Sequence, residues 1–178
     1  MDLTEKKLSE EKIFDGVVLH VRRDTIELPN GNKSTREYIK HNGAVCVIPV
    51  TDEGEIVLER QYRYPIGRVV TEIPAGKLEI GEDPLEAAKR ELYEETGYIP
   101  GKMEYIGDYI GSPALLEERV TMYLATELTK GDAHLDEDEF LEVFTMPLEE
   151  AYQRVMNNEF ADAKTQLCIL KAYILLNK

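Results

Sequence analysis

The residues from Asp83 to Gly97 constrain this chain more than any others, because both ends and one face of a helix are written into them. Asp83 can cap the first turn, Pro84 suits the first helical position, and Glu86 completes a capping-box pattern. Gly97 supplies the left-handed stop. At about 100° per residue, Glu91, Glu94 and Glu95 fall within an arc of about 100°, and Leu85, Ala88 and Leu92 form an apolar stripe beside it. The acidic face therefore borders the buried face. At an effective dielectric near 20 and about 5–6 Å, each neighbouring carboxylate pair repels by roughly 3 kcal/mol before screening. In full solvent the cost falls to a few tenths. Two readings follow: a solvated charged face, or a partly buried one that needs a counter-cation. Hard carboxylate oxygens would select Mg²⁺ or Mn²⁺ for the second.

The flanking patterns place this helix in an α/β chain. Residues 17–21 and 24–28 read as strands, 29–31 as a turn, and 34–40 as a returning strand. This region has few large apolar residues and must pack on something. Residues 43–50 are nearly all apolar or β-branched, the pattern of a buried central strand. Residues 51–54 turn the chain, and 55–62 read as the hairpin partner of that strand. Residues 103–110 and 120–127 read as further strands, and 148–156 and 163–176 as helices. The expected fold is an α/β sandwich with a mixed sheet.

With 178 residues, one well-cored domain plus a small appendage is expected. A net charge of −14 opposes a nucleic-acid backbone, so no nucleic-acid partner is expected, whereas a small anion bridged by a cation is compatible. No apolar run reaches membrane-spanning length, and the start lacks the apolar stretch of a signal peptide, so no membrane partner and a cytoplasmic location are expected. Cys46 and Cys168 sit in apolar contexts and read as two buried thiols. His20, His41 and His134 have no partner at ligand spacing and are assigned to no metal.

From Gly76 to Tyr98 the chain reads GKLEIGEDPLEAAKRELYEETGY. This resembles the Nudix box, with Gly76, Glu82, Arg90, Glu91, Leu92, Glu94, Glu95 and Gly97 at its places in turn and Tyr98 where the pattern has an aliphatic. Seven fixed matches arise by chance on the order of 10⁻⁸ to 10⁻⁹ per window, which sets coincidence aside. The resemblance implies a Nudix-type α/β/α sandwich with a mixed sheet plus a small N-terminal antiparallel sheet, divided at residues 1–41 and 42–178. It also implies metal-assisted hydrolysis of a nucleoside diphosphate linked to another moiety, with Mg²⁺, or else Mn²⁺, as cofactor. Glu91, Glu94, Glu95 and the backbone carbonyl of Ala75 would hold the cation. Arg90 would orient the glutamates. Glu82 and the Gly76 loop would shape the site.

Over residues 12–175 the chain is similar to the ADP-ribose pyrophosphatase branch of that family, which implies ADP-ribose as substrate and AMP and ribose 5-phosphate as products. Pro113 lies where that branch has its marker proline, although residues 114–119 read ALLEER in place of the branch's Gly-Phe-type loop. By this resemblance Arg36 and Arg63 would contact the diphosphate, Phe14 would stack on adenine, and Glu118 would face substrate or metal. Glu139, or Glu137 in its place, would be the catalytic base in a loop that closes on substrate. The N-terminal strands would be exchanged with a second subunit in a homodimer. Two alternatives stand beside this reading. One is hydrolysis of other nucleoside diphosphate sugars or dinucleoside polyphosphates. The other is a non-catalytic nucleotide sensor, a class that usually loses the box carboxylates retained here.

Overall fold

The computed structural model describes residues 1–131 and 140–177. The chain divides into two compact units, Met1–Gly43 with Ile110–Arg119, and Ala44–Tyr109 with Val120–Lys178.

The first unit is an antiparallel three-stranded sheet of β1 (Lys6–Asp15), β2 (His20–Glu27) and β3 (Lys33–Lys40), in that order. The two strands expected at 17–21 and 24–28 are one strand, β2, because the chain turns at 16–19, where the Gly16 N–H donates to the Leu19 carbonyl at 2.9 Å. β1 carries no strand signal in the sequence: its charged residues outnumber Leu8, Ile13 and Phe14, which keep no period of two, and every residue of it is exposed. Its register is held by the backbone ladder and by ion pairs such as Lys7 to Asp24 at 3.0 Å. Ile26 is the one buried apolar side chain of this unit among the described residues. Residues 110–119 join it through Ile39 N–H to the Leu115 carbonyl at 2.8 Å and Glu117 N–H to the Ile39 carbonyl at 3.0 Å.

The second unit holds a four-stranded mixed sheet and a three-stranded antiparallel one. The mixed sheet runs β7 (Ala75–Lys77), β4 (Ala44–Pro49), β9 (Val120–Lys130), β8 (Tyr98–Tyr109), with β4 and β9 parallel. The other runs β10 (Leu141–Pro147), β5 (Glu55–Arg63), β6 (Arg68–Glu72). Among the described residues three α-helices complete the unit: α1 (Pro84–Thr96), α2 (Leu148–Met156) and α3 (Ala163–Leu176).

β4 is buried along its whole length, as a strand covered on both faces must be. Its alternation sends Val45 and Val47 to Ala87, Ala88 and Leu92 of α1, and sends Ala44, Cys46 and Ile48 into the cluster with Leu148, Ala151, Cys168 and Ile169 of α2 and α3. This two-sided packing is the α/β/α sandwich. Full burial of a side chain like Leu92 stabilises by roughly 1.5–3 kcal/mol. Cys46 and Cys168 are free and buried, their sulfurs 3.8 Å apart. The hydrogen bond with Cys168 and burial push the Cys46 thiol well above its ordinary value, so it acts as a small apolar side chain.

The structure corrects one pairing. β5 is not the hairpin partner of β4; a single bridge, Val50 to Ile56, links them before β5 enters the other sheet. Both edges of β4 are already taken, by β7 and by β9. No helix of the described residues is long and apolar enough to cross a membrane.

Candidate active site

The acidic helix forms as its ends dictate. The Asp83 carboxylate accepts from the Leu85 and Glu86 N–H groups at 3.0 and 3.2 Å, Pro84 opens the first turn, and Gly97 stops the helix at φ 74°. Glu86 does not close the expected capping box; it accepts from Lys89 at 2.8 Å instead. Ala87, Ala88 and Leu92 are fully buried. Exposure of the glutamates follows their angle from the apolar stripe: 5% for Glu95, 14% for the Glu91 side chain and 40% for that of Glu94. A solvated charged face is thereby excluded for two of the three.

Arg90 gathers these side chains. Its Nε and Nη2 donate to the two oxygens of Glu82 at 3.0 and 3.3 Å, while Nη1 lies 2.9 Å from both Glu91 Oε1 and Glu94 Oε2. The Arg90 bonds, then the Glu79 backbone N–H, hold the Glu82 carboxyl below its usual range. Arg90 is pushed above its ordinary value, chiefly by Glu82. Glu95 points to the sheet instead, where its carboxylate accepts from the Ala75 N–H at 3.0 Å.

Gly76 of β7 has a physical reason to be glycine. A Cβ there would lie 1.9–2.3 Å from the Glu91 carboxylate atoms. The Glu91 carboxylate therefore seats directly against the bare backbone of Gly76. Among the described residues no group of three or more His, Cys, Asp or Glu side chains already converges tightly enough to hold an ion, since Arg90 draws Glu91 and Glu94 to itself. The donor set is nevertheless one of hard oxygens in excess of their cation, with one of them seated where only glycine leaves room. That chemistry fits a divalent cation, and Glu91, Glu94 and Glu95 are the side chains that could hold it.

A second cluster lies beside α3. Glu72, the last residue of β6, is buried, and both its oxygens are engaged. Arg63 pairs with it side-on, Nε to Oε1 at 2.7 Å and Nη2 to Oε2 at 2.9 Å. Lys164 also bonds Glu72 and lies 3.1 Å from Asp162. Burial pushes Glu72 up, but Arg63 and Lys164 outweigh it and hold the acid below its ordinary value. Asp162 caps α3 through the Thr165 N–H at 2.8 Å, and the buried Thr165 hydroxyl accepts from the Ile73 N–H at 3.0 Å. The first turn of α3 thus pins the segment leading into Ala75 and Gly76. Arg63, Arg68, Val70, Glu72, Asp162 and Lys164 line a cavity of about 510 Å³.

The expected site residues fall into four groups. Ala75, Glu82, Arg90, Glu91, Glu94 and Glu95 are brought together. Arg63 stands with Glu72 and Lys164, neither of which the sequence reading singled out. A signal for Lys164 exists: a cation in the first turn of a helix opposes the macrodipole and calls for a local anion. Arg36, Phe14 and Glu118 belong to the first unit. There Arg36 pairs with Glu5, Phe14 is exposed opposite Val21, and Glu118 lies 3.6 Å from His41. Glu137, Glu139 and His134 lie outside the described residues.

Comparison with known proteins adds independent findings. The family model described as NUDIX domain matches residues 40–167, and that described as nucleoside diphosphate sugar hydrolase N-terminal domain matches residues 5–39. An ADP-ribose pyrophosphatase of Bacillus subtilis is 47% identical over 169 residues, covering 94% of this chain and 91% of the relative. A methanol dehydrogenase activator of Bacillus methanolicus is 44% identical over 167 residues, covering 93% and 90%. A crystal structure of an ADP compounds hydrolase superposes with a TM-score of 0.88 at 22% identity, covering 99% of this chain and 97% of the other, a likeness of fold.

Proposed function

The chain belongs to the NUDIX domain family, and on that premise we propose that it is a divalent-cation-dependent pyrophosphatase that splits ADP-ribose and water into AMP and ribose 5-phosphate. The observation that carries the chemistry is the surplus of carboxylates around Arg90, with Glu91 seated against Gly76. The choice of ADP-ribose is supported by the Bacillus subtilis relative. Glu91, Glu94, Glu95 and the Ala75 carbonyl hold the cation, for which Mg²⁺ suits an all-oxygen set. When bound, a divalent cation neutralises diphosphate charge and acidifies water. Arg90, itself gripped by Glu82, fixes the glutamate rotamers. Arg63 and Arg36 bind diphosphate oxygens, since the guanidinium fork matches them. Phe14 stacks on adenine, Glu118 faces the substrate, and Glu139, or Glu137, takes the proton from water; the family resemblance supports these roles. Water adds to phosphorus and the bridging P–O bond breaks, which leaves one phosphate on each product.

A substrate panel with Mg²⁺, scored by AMP release, tests this. ADP-ribose should be turned over far faster than UDP-sugars, dinucleoside polyphosphates or nucleoside triphosphates. A preference for one of those would transfer the activity to the other nucleoside diphosphate compounds.

A homodimer with exchanged N-terminal strands is part of the same proposal. Its support is the thin core of the first unit, one buried apolar residue, against exposed Leu8, Ile13, Phe14, Val17, Val18 and Leu19. Sedimentation should give a dimer; a fully active monomer would sink the exchange.

A further inference from the structure

Arg63 is committed twice over. As a diphosphate-binding residue it must turn to an incoming anion, yet it is already paired side-on with Glu72, a carboxylate only 4% exposed. Withdrawing the guanidinium from a buried acid with no other counter-ion would leave that acid uncompensated, at a cost that binding must overcome. The second cation on the same carboxylate removes this difficulty. Lys164 bonds Glu72 Oε2, is itself largely buried, and shares the cavity wall with Arg63 and Arg68. It is kept in place from two sides, by Glu72 and by Asp162. The cavity then presents three cations against two carboxylates in a chain of net charge −14.

We infer that Lys164 is a positioning residue that keeps Glu72 neutralised while Arg63 exchanges this carboxylate for the diphosphate of the substrate. The inference rests on the proposed role of Arg63. Arg63 and Glu72 lie on the same face of adjacent antiparallel strands, in register opposite Arg68 and Glu59 respectively, and are joined through their side chains, so Arg63 moves only its own side chain in the exchange, while the first turn of α3, tied to Ile73 through Thr165, stays fixed. Lys164 acts through Arg63 and its effect is therefore one of substrate capture.

The test is steady-state kinetics of Lys164→Met, which keeps the stem and removes the charge. The compound used is whichever nucleoside diphosphate derivative the wild-type protein hydrolyses fastest. A preference for something other than ADP-ribose thus revises the proposed substrate and leaves this ratio readable. KM should rise about tenfold or more while kcat changes less than about threefold. Lys164→Arg should restore KM to within about threefold of wild type, because any cation there serves. In a Glu72→Gln background, where the carboxylate bonded to both Arg63 and Lys164 is gone, adding Lys164→Met should change KM by less than about twofold. The inference is overturned by an unchanged KM in Lys164→Met, or by an equal rise in the Glu72→Gln background. If Lys164→Met fails to fold, Lys164→Gln reads the same ratios, since its amide can hydrogen-bond Glu72 without compensating its charge.

Discussion

Along α1 one guanidinium serves three carboxylates, whereas beside α3 two cations serve one. The two clusters use the same residue types with opposite stoichiometry. Around Arg90 the negative charge is in excess, and Glu95 adds another buried carboxylate within one turn of Glu91. Such a cluster is eased by any cation that enters. Around Glu72 the acid is already satisfied, and the spare capacity belongs to Arg63, Lys164 and Arg68, so that cluster is eased by an anion. A hydrolase of phosphoanhydrides needs both: a place for a cation and a place for the charge that the cation escorts. The segment from Glu72 to Gly76 joins them, with Glu72 bonded in one cluster and Ala75 and Gly76 touching the other.

Three changes probe this division. The largest effect is expected for Glu95→Gln. The amide oxygen can still accept from the Ala75 N–H, so melting should shift by only a few degrees. Turnover should fall on the order of 10²- to 10⁴-fold because a charged ligand is lost; near-normal turnover would remove Glu95 from the cation site. A smaller effect is expected for Gly76→Ala. The colliding atoms are the far end of the Glu91 side chain, and the fold can accommodate its displacement. Activity should drop about 10- to 100-fold with a melting shift within roughly 2–4 °C. An active Gly76→Ala protein would show that the seat of Glu91 is immaterial.

The smallest effect is one of pH. Glu72 sits below its ordinary 4.5, because Arg63 and Lys164 outweigh burial. A depressed carboxyl contributes stability that is present above its unfolded value and is lost as pH falls through its folded value. Urea midpoints between about pH 3 and 5 should therefore decline more gently in Glu72→Gln than in wild type. Parallel declines would deny Glu72 a stabilising ion pair.

Much of the site was legible because it is local. Glu91, Glu94 and Glu95 share a helix face by spacing alone, and Asp83 and Gly97 bound that helix through their own backbone and side-chain bonds. Helices 148–156 and 163–176 were equally readable, since their signals lie within one turn of each other. β6, β7 and β10 were not. β7 is three residues long and carries Gly76, β7 and β10 exist only because a strand distant in sequence offers each a ladder, and β6 follows β5 through a turn whose apolar residues give no strand period.

The sequence by itself determined which residues carry charge, where the acidic helix starts and stops, and that its glutamates border the core. Only the tertiary structure decided that Glu91 rests on bare backbone, that β5 leaves β4 for another sheet, and that Lys164 meets Glu72 across 92 residues. The reason is range. Hydrogen bonds of a helix close within four residues and repeat with a fixed period, so they can be read along a line. Partners of a strand or a buried ion are chosen by what else fills the space around them, and no period along the chain encodes that choice.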